Sequence, residues 1–177
     1  MRKLDLFVCF LFFVPFVGCK TFPTVKPSVE FEKELNVNNS TVNFSGQDFF
    51  DAGADADFEK YKNKVNSVDV ERITYTILES TGSASTLVSG QLEVADSKGG
   101  NRATLTTLTN VNFANSLNRE TDITAGTAAL ETLENALSTA PFQANLYYSG
   151  VADKGPVRLR LKLKFYTKVT ARIIGSN

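Results

Sequence analysis

One stretch near the C-terminus strongly limits the folds open to this chain. Residues 157–172 read VRLRLKLKFYTKVTAR, in which apolar or small residues alternate with basic or polar ones. Successive side chains of a β-strand point to opposite faces, so the pattern predicts one strand with a buried face and a charged face. At about 3.3 Å per residue this strand is about 50 Å long, far beyond the usual five or six residues. We expect it to twist strongly and to serve two sheets or one whole wall of a curved sheet.

Most of the remaining chain shows the same two-residue period, in runs near 37–44, 68–77, 87–94 and 105–113. The alternation slips by one position between Val70 and Ile73, which predicts a β-bulge at Glu71 and Arg72. Residues that favour turns occupy 80–83, 96–101 and 153–156, and we expect each group to close a hairpin.

A single segment, residues 127–139, has helical spacing instead. It reads TAALETLENALST and places Leu130, Leu133 and Leu137 on one face, while Pro141 prevents continuation. The pattern predicts an amphipathic helix that covers one end or face of the sheet. Its polar face carries Glu rather than the Lys and Arg typical of a membrane-surface helix. The sequence therefore predicts a mainly β fold, an antiparallel β-sandwich or strongly curved sheet of about six to eight strands with one covering α-helix.

The first residues have the zones of an export signal: a basic start, an apolar run over 6–17 and a small residue, Gly18, before Cys19. As a helix the apolar run rises about 18 Å, too little for a hydrocarbon core of about 30 Å. The run ending Phe16-Val17-Gly18-Cys19 resembles the lipobox of bacterial lipoproteins. This resemblance implies cleavage before Cys19 and its acylation, for example by palmitate. The alternative is an ordinary cleaved signal with an incidental cysteine.

These features divide the chain into three parts. We expect a lipoprotein signal peptide at 1–18, an extended tether at 19–35 and a single β-rich domain at 36–177. The tether is predicted from Pro23 and Pro27, which disfavour a helix. The order of elements is similar to that of small Bacteroidota lipoprotein domains. Because Lys20-Thr21-Phe22 does not resemble the acidic cluster of their surface-exposed members, we expect an outer-membrane anchor facing the periplasm.

The chain has no histidine, which removes the commonest general base and the commonest zinc ligand. Acidic residues gather between positions 48 and 59, but their offsets do not match a calcium loop. We interpret them as a solvated turn whose acids cap a short helix near Phe58. The spacing of these acids alone does not exclude a glycosidase that uses two carboxylates. We expect no enzyme activity, no metal and no cofactor. The acidic residues between positions 48 and 59 are Asp48, Asp51, Asp55, Asp57 and Glu59.

The charged face of the long strand forms a basic stripe. Its members are Arg158, Arg160, Lys162, Lys164, Lys168 and Arg172. The stripe is a possible contact surface for anionic lipid, but we favour solvated side chains that pair with acids on neighbouring strands. No aromatic platform accompanies the stripe, and we expect no nucleic-acid partner.

Two functions remain open at this point. The first is a membrane-anchored, non-catalytic envelope module that binds an envelope protein or assists an assembly. The second is a carrier of a lipid or other amphiphile, in a pocket between the curved sheet and the helix at 127–139.

Overall fold

The structure, a computed structural model, describes residues 23–81 and 86–172; the predicted signal peptide and Cys19 lie outside them. Within these ranges the chain forms nine strands and two α-helices. The strands are β1 Thr24–Val25, β2 Ser28–Asn39, β3 Asn43–Asp51, β4 Val65–Thr81, β5 Leu87–Ala95, β6 Ala103–Asn112, β7 Glu120–Ile123, β8 Gln143–Ala152 and β9 Val157–Arg172. The helices are α1 Ala56–Glu59 and α2 Thr127–Ser138. None of the helices so described is long and apolar enough to cross a membrane.

The strands form two antiparallel sheets, which confirms the predicted sandwich class. Sheet A has the order β1-β9-β4-β7, with β2 also paired to β9. Sheet B has the order β3-β8-β5-β6. The inner faces of both sheets supply one hydrophobic core, to which α2 adds Leu133 and Leu137. The strand number slightly exceeds the predicted six to eight because β1 and β7 are too short to show a two-residue period.

The long strand β9 is the centre of sheet A. Every second side chain from Val157 to Ala171 is buried, as the alternation predicts. It pairs with β2 on one side and β4 on the other, and so belongs to one sheet rather than two. The predicted bulge is confirmed by a register shift between Val70 and Arg72 where β4 pairs with β9.

The predicted tether at 19–35 is wrong from residue 24 onward, because β1 and β2 both pair with β9. Strand β2 pairs with β9 along its whole length, and Val29, Phe31 and Leu35 are buried in the core. The prolines of this region precede β2 instead of interrupting it, and the carbonyl of Pro27 accepts a hydrogen bond from Val169 N–H. Proline has no backbone N–H, but at a position just before a strand the sheet does not need that hydrogen-bond donor. The described domain therefore begins at β1.

Two of the three predicted hairpins are also wrong. The turn at 96–101 joins β5 to β6, which pair with each other as expected. Residues 80–83, of which 82–83 lie outside the described part, lead from β4 in sheet A to β5 in sheet B. Residues 153–156 likewise connect β8 in sheet B to β9 in sheet A. Turn chemistry specifies a chain reversal, whereas the sheet that the next strand joins depends on tertiary packing.

The connections lie at two opposite ends of the sandwich. The helix end holds residue 23, the last residues of β9, α1, α2 and the turn at 96–101, because Thr24 pairs with Arg172 and Val65 with Ala171. The loop end holds the connections at 40–42, 113–119 and 153–156. Since β9 runs between the two ends, they are about 50 Å apart.

Helix α2 also protects an edge of sheet A. Between Val65 and Arg72, β4 has no partner strand on the β7 side among the described residues. There Val68 N–H donates to the Ser138 hydroxyl at 2.7 Å, and Val70 N–H donates to the Glu134 carboxylate at 2.9 Å. Side chains of α2 thus replace the missing strand and satisfy backbone donors that would otherwise invite edge pairing.

Candidate functional site

The basic stripe lies on the outer face of sheet A, where acids from both neighbouring strands surround it. Lys164 is 2.6 Å from Glu30 of β2, and Lys168 is 3.0 Å from Glu71 of β4. Further ion pairs join Arg160 to Glu79 at 2.7 Å, Arg160 to Glu34 at 3.9 Å and Lys162 to Glu32 at 3.4 Å. We call this surface the charged face. Four of the six predicted stripe residues are thus paired within the sheet.

A second cluster extends the charged face towards β7. Arg72 lies 2.6 Å from Asp122 and 3.8 Å from Glu120, and the Tyr166 hydroxyl donates to Glu120 at 2.8 Å. The Tyr166 hydrogen bond, helped by the charge of Arg72, lowers the pKa of Glu120. A hydrogen bond to Glu30 similarly raises the pKa of Lys164. Each exposed pair contributes little on its own because water screens it, but together the pairs leave little uncompensated charge on this face.

The remaining two stripe residues, Arg158 and Arg172, are exposed at opposite ends of β9. Within the described ranges neither of them forms an ion pair. Arg158 belongs to the loop end and Arg172 to the helix end. The stripe predicted from the sequence is therefore not one continuous patch of free positive charge.

The acidic residues between positions 48 and 59 are dispersed rather than gathered. The Asp55 carboxylate accepts hydrogen bonds from the backbone N–H groups of Asp57 and Phe58 and so caps α1, as predicted. Asp48 pairs with Lys33 at 2.8 Å. The other pairs are Asp57 with Lys60 at 2.6 Å, Glu59 with Lys62 at 2.7 Å, and Asp51 with the Gln143 amide at 2.9 Å. Each acid thus has its own local partner, and the described residues contain no group of three potential metal ligands.

An apolar cavity lies between the two sheets, in the half of the core nearer the loop end. Its volume is about 70 Å³, and its surface is almost entirely apolar. Sheet A contributes Leu35, Leu159 and Leu161, and sheet B contributes Val88 and Leu92. The cavity is the feature of the core that sequence reasoning did not locate.

Packing differs between the two halves of the core. Leu161, which lines the cavity, keeps 9% of its surface accessible, whereas Phe165, farther along β9 towards the helix end, keeps none. Towards the helix end, aromatic rings fill the space: the ring centre of Phe50 lies 5.1 Å from that of Phe165 and 5.4 Å from that of Phe31. The half near the loop end is lined mainly by aliphatic side chains and is less tightly packed.

Exposed aliphatic side chains surround the same end of the molecule. Val42, Leu87, Leu117 and Val151 are each between 37% and 45% exposed, and all four lie in or beside the loop-end connections. Backbone hydrogen bonds hold three of these segments together, because Ala152 N–H donates to the carbonyl of Val42 and Asp153 N–H to that of Leu87. We call these four side chains the aliphatic rim.

The cavity is not where the amphiphile-carrier hypothesis placed its pocket. That hypothesis put the pocket between the sheet and α2, yet α2 supplies no residue to the cavity wall. Instead, α2 borders a polar groove with the β5–β6 turn, lined by Asp96, Arg102, Glu131 and Asn135. Any role of the cavity in binding therefore depends on the loop end and not on a gate formed by α2.

No protein-family model and no curated protein matches the chain. Among solved structures, the chain is similar to one of Desmodium yellow mottle tymovirus, with 14% identity and a TM-score of 0.44 over 100% of this chain and 96% of that one. It is also similar to one of turnip yellow mosaic virus, with 7% identity and a TM-score of 0.45 over 88% of this chain and 99% of that one.

Proposed function

We propose that the chain is a lipid-anchored envelope protein that acts as a non-catalytic binding or assembly module. In this proposal the helix end lies next to the membrane and the loop end is the binding surface. The observation that carries the proposal is the pairing of Thr24 with Arg172, which places the start of the described chain at the helix end.

The length of chain before β1 limits how far the domain can stand from an acylated Cys19. Five peptide units separate Cys19 from Thr24, and a fully extended chain spans at most about 3.6 Å per residue. The helix end would therefore lie within about 20 Å of the anchor. The loop end, at the other end of β9, would point away from the bilayer by about a further 50 Å.

The distribution of surface chemistry supports the loop end as the binding surface. Most basic groups of the charged face are neutralised within sheet A, so this face needs no anionic partner. The aliphatic rim, by contrast, leaves apolar surface in water around three connected segments. Grouped exposed apolar residues are typical of interaction sites.

The anchor is tested by a pair of cysteine substitutions. Cys19→Ser should abolish incorporation of labelled palmitate and release the protein from the membrane fraction. Cys9→Ser is the matched control and should leave both unchanged, because Cys9 lies in the predicted signal peptide. Acylated, membrane-bound protein from the Cys19→Ser variant would contradict the proposed anchor.

The binding surface is tested by photo-crosslinking in intact cells. A benzophenone amino acid placed at Leu117 or Val151 should capture the same molecule, whose mass identifies it as protein or lipid. The same probe at Glu32, which is exposed on the charged face, is the control and should capture nothing in common with them. Equal capture from all three positions would contradict a dedicated binding surface at the loop end.

A further inference from the structure

We infer that the loop end binds the hydrocarbon chain of an amphiphile, with the terminal carbons of the chain inside the apolar cavity. This inference rests on the proposed function in one respect, the use of the loop end as the binding surface. It does not require the lipid anchor. The ligand is a molecule with one extended apolar chain and a head group that remains in water.

The chemistry of the cavity wall favours a hydrocarbon. Its surface is almost entirely apolar, and a water molecule needs two to four polar partners to be held in such a space. An engineered apolar cavity of about 150 Å³ in another protein stays dry and binds benzene or xenon. At about 70 Å³ this cavity is about half that size and matches a few carbon atoms of a chain.

The position of the cavity provides a route for the rest of the chain. Val37, Phe44 and Leu161, each 8–9% accessible, line the cavity, whereas the inward residues Leu146, Phe165 and Val169, nearer the helix end, keep no accessible surface. The aliphatic rim lies at the same end of the sandwich. A hydrocarbon chain with its tip between Leu161 and Val88 would leave the core between the two sheets at Val37 and Leu159, which pair near the loop end, and would bury apolar surface of both partners. Leu87 and Val151 alternate with the buried Val88 and Ala152, so within the rim they lie on the outer face of sheet B.

A ligand would also offset a weakness of the core. An unfilled cavity reduces stability in proportion to its volume, because the lining atoms lack contacts on one side. The helix-end half avoids this loss with its packed aromatic rings. The loop-end half instead contains the cavity. A bound hydrocarbon chain would fill it and supply the contacts that its lining atoms lack.

The inference is tested by methyl NMR of the full chain in lipid nanodiscs, with labelled leucine and valine side chains. Decanoate and butyrate are the probes, because they share a head group and differ in chain length. Decanoate should shift the methyl signals of Val88 and Leu161 saturably, at least fivefold more than those of Val94 and Leu133, which are fully buried in the other half. Butyrate should produce no saturable shift. Xenon under pressure should shift the same cavity methyl signals.

A cavity-filling substitution completes the test. Val88→Phe should abolish the decanoate and xenon shifts while the methyl signals of the helix-end half stay in place; Leu161→Phe serves the same purpose if Val88→Phe does not fold. Xenon shifts without decanoate shifts would show a void without a chain-binding site and would overturn the inference. Shifts of equal size in both halves, or none in either, would also overturn it. Because membrane association is scored separately by the cysteine substitutions, these outcomes leave the anchor proposal unaffected.

Discussion

Two valines on the inner face of β5 provide a direct test of uneven core packing. Val88 lines the cavity, whereas Val94 is fully covered and pairs with Leu146 and Ala103 in the helix-end half. Val→Leu adds one methylene group at either site. The substitution is identical, the strand is the same, and only the space around the side chain differs.

The expected effects follow from burial and packing. At Val88 the added methylene enters existing space and gains about 0.8 kcal/mol, reduced by about 0.5 kcal/mol of side-chain entropy. The free energy of unfolding should therefore stay unchanged or rise slightly. At Val94 the same group must displace packed neighbours, which typically costs about 1–3 kcal/mol. The two variants should thus differ by about 2 kcal/mol, or by about 4–8 °C in Tm for a chain of this size.

The comparison is made by urea unfolding followed by far-ultraviolet circular dichroism, since the chain contains no tryptophan to report by fluorescence. The slope of the unfolding free energy against urea should be the same for both variants, so that the midpoints compare stability alone. Equal losses at Val88 and Val94 would mean that the two halves are packed alike. This result would refute the reasoning behind the cavity.

Three further predictions concern the charged face and the strand register. Tyr166→Phe should raise the pKa of Glu120 towards its ordinary value, as measured by carboxyl NMR, and an unchanged pKa would contradict the assigned cause. The stability that Glu120 contributes is present at pH values above its ordinary pKa and is lost as the pH falls through its lowered pKa, so this contribution should shrink in the variant. Leu161→Asp should prevent stable folding because it buries an unpaired charge, whereas Lys162→Gln should cost no more than about 1 kcal/mol; similar urea midpoints would contradict the register. The chain with Cys19→Ser should not co-sediment with anionic vesicles at low salt, because four of the six basic groups of the stripe are paired with acids of sheet A. Salt-sensitive binding to anionic but not neutral vesicles would contradict this.

The features that could be predicted from the sequence are those fixed by local spacing. The alternation in β9 gives its register, its buried face and its charged face, and the one-position slip near Arg72 locates a bulge. Asp55 precedes a short apolar-faced helix and caps it. In each case the side chains involved are close in sequence, so the pattern contains the necessary information.

The features that were missed depend on residues far apart in sequence. Residues 28–35 of β2 were predicted to belong to a tether because the prolines before the strand and the charges within it outweighed the alternation of Val29, Phe31 and Leu35. The burial of these residues depends on pairing with β9, more than a hundred residues later. The cavity is a difference in how side chains from both sheets fill space, which no periodicity encodes. Acids that pair with the basic stripe were expected, but the identity of each partner required the strand order.

The central claim, a domain held at the membrane by its helix end with the loop end pointing outward, can be tested by energy transfer to a bilayer dye. Single cysteines for labelling are introduced by Ser40→Cys at the loop end or by Asn63→Cys at the helix end, where both positions are exposed. The acylated chain is then reconstituted in nanodiscs. The account predicts that the label at position 40 lies roughly 40 Å farther from the bilayer than the label at position 63, given a β9 length of about 50 Å. Equal distances, or a shorter distance for position 40, would contradict it.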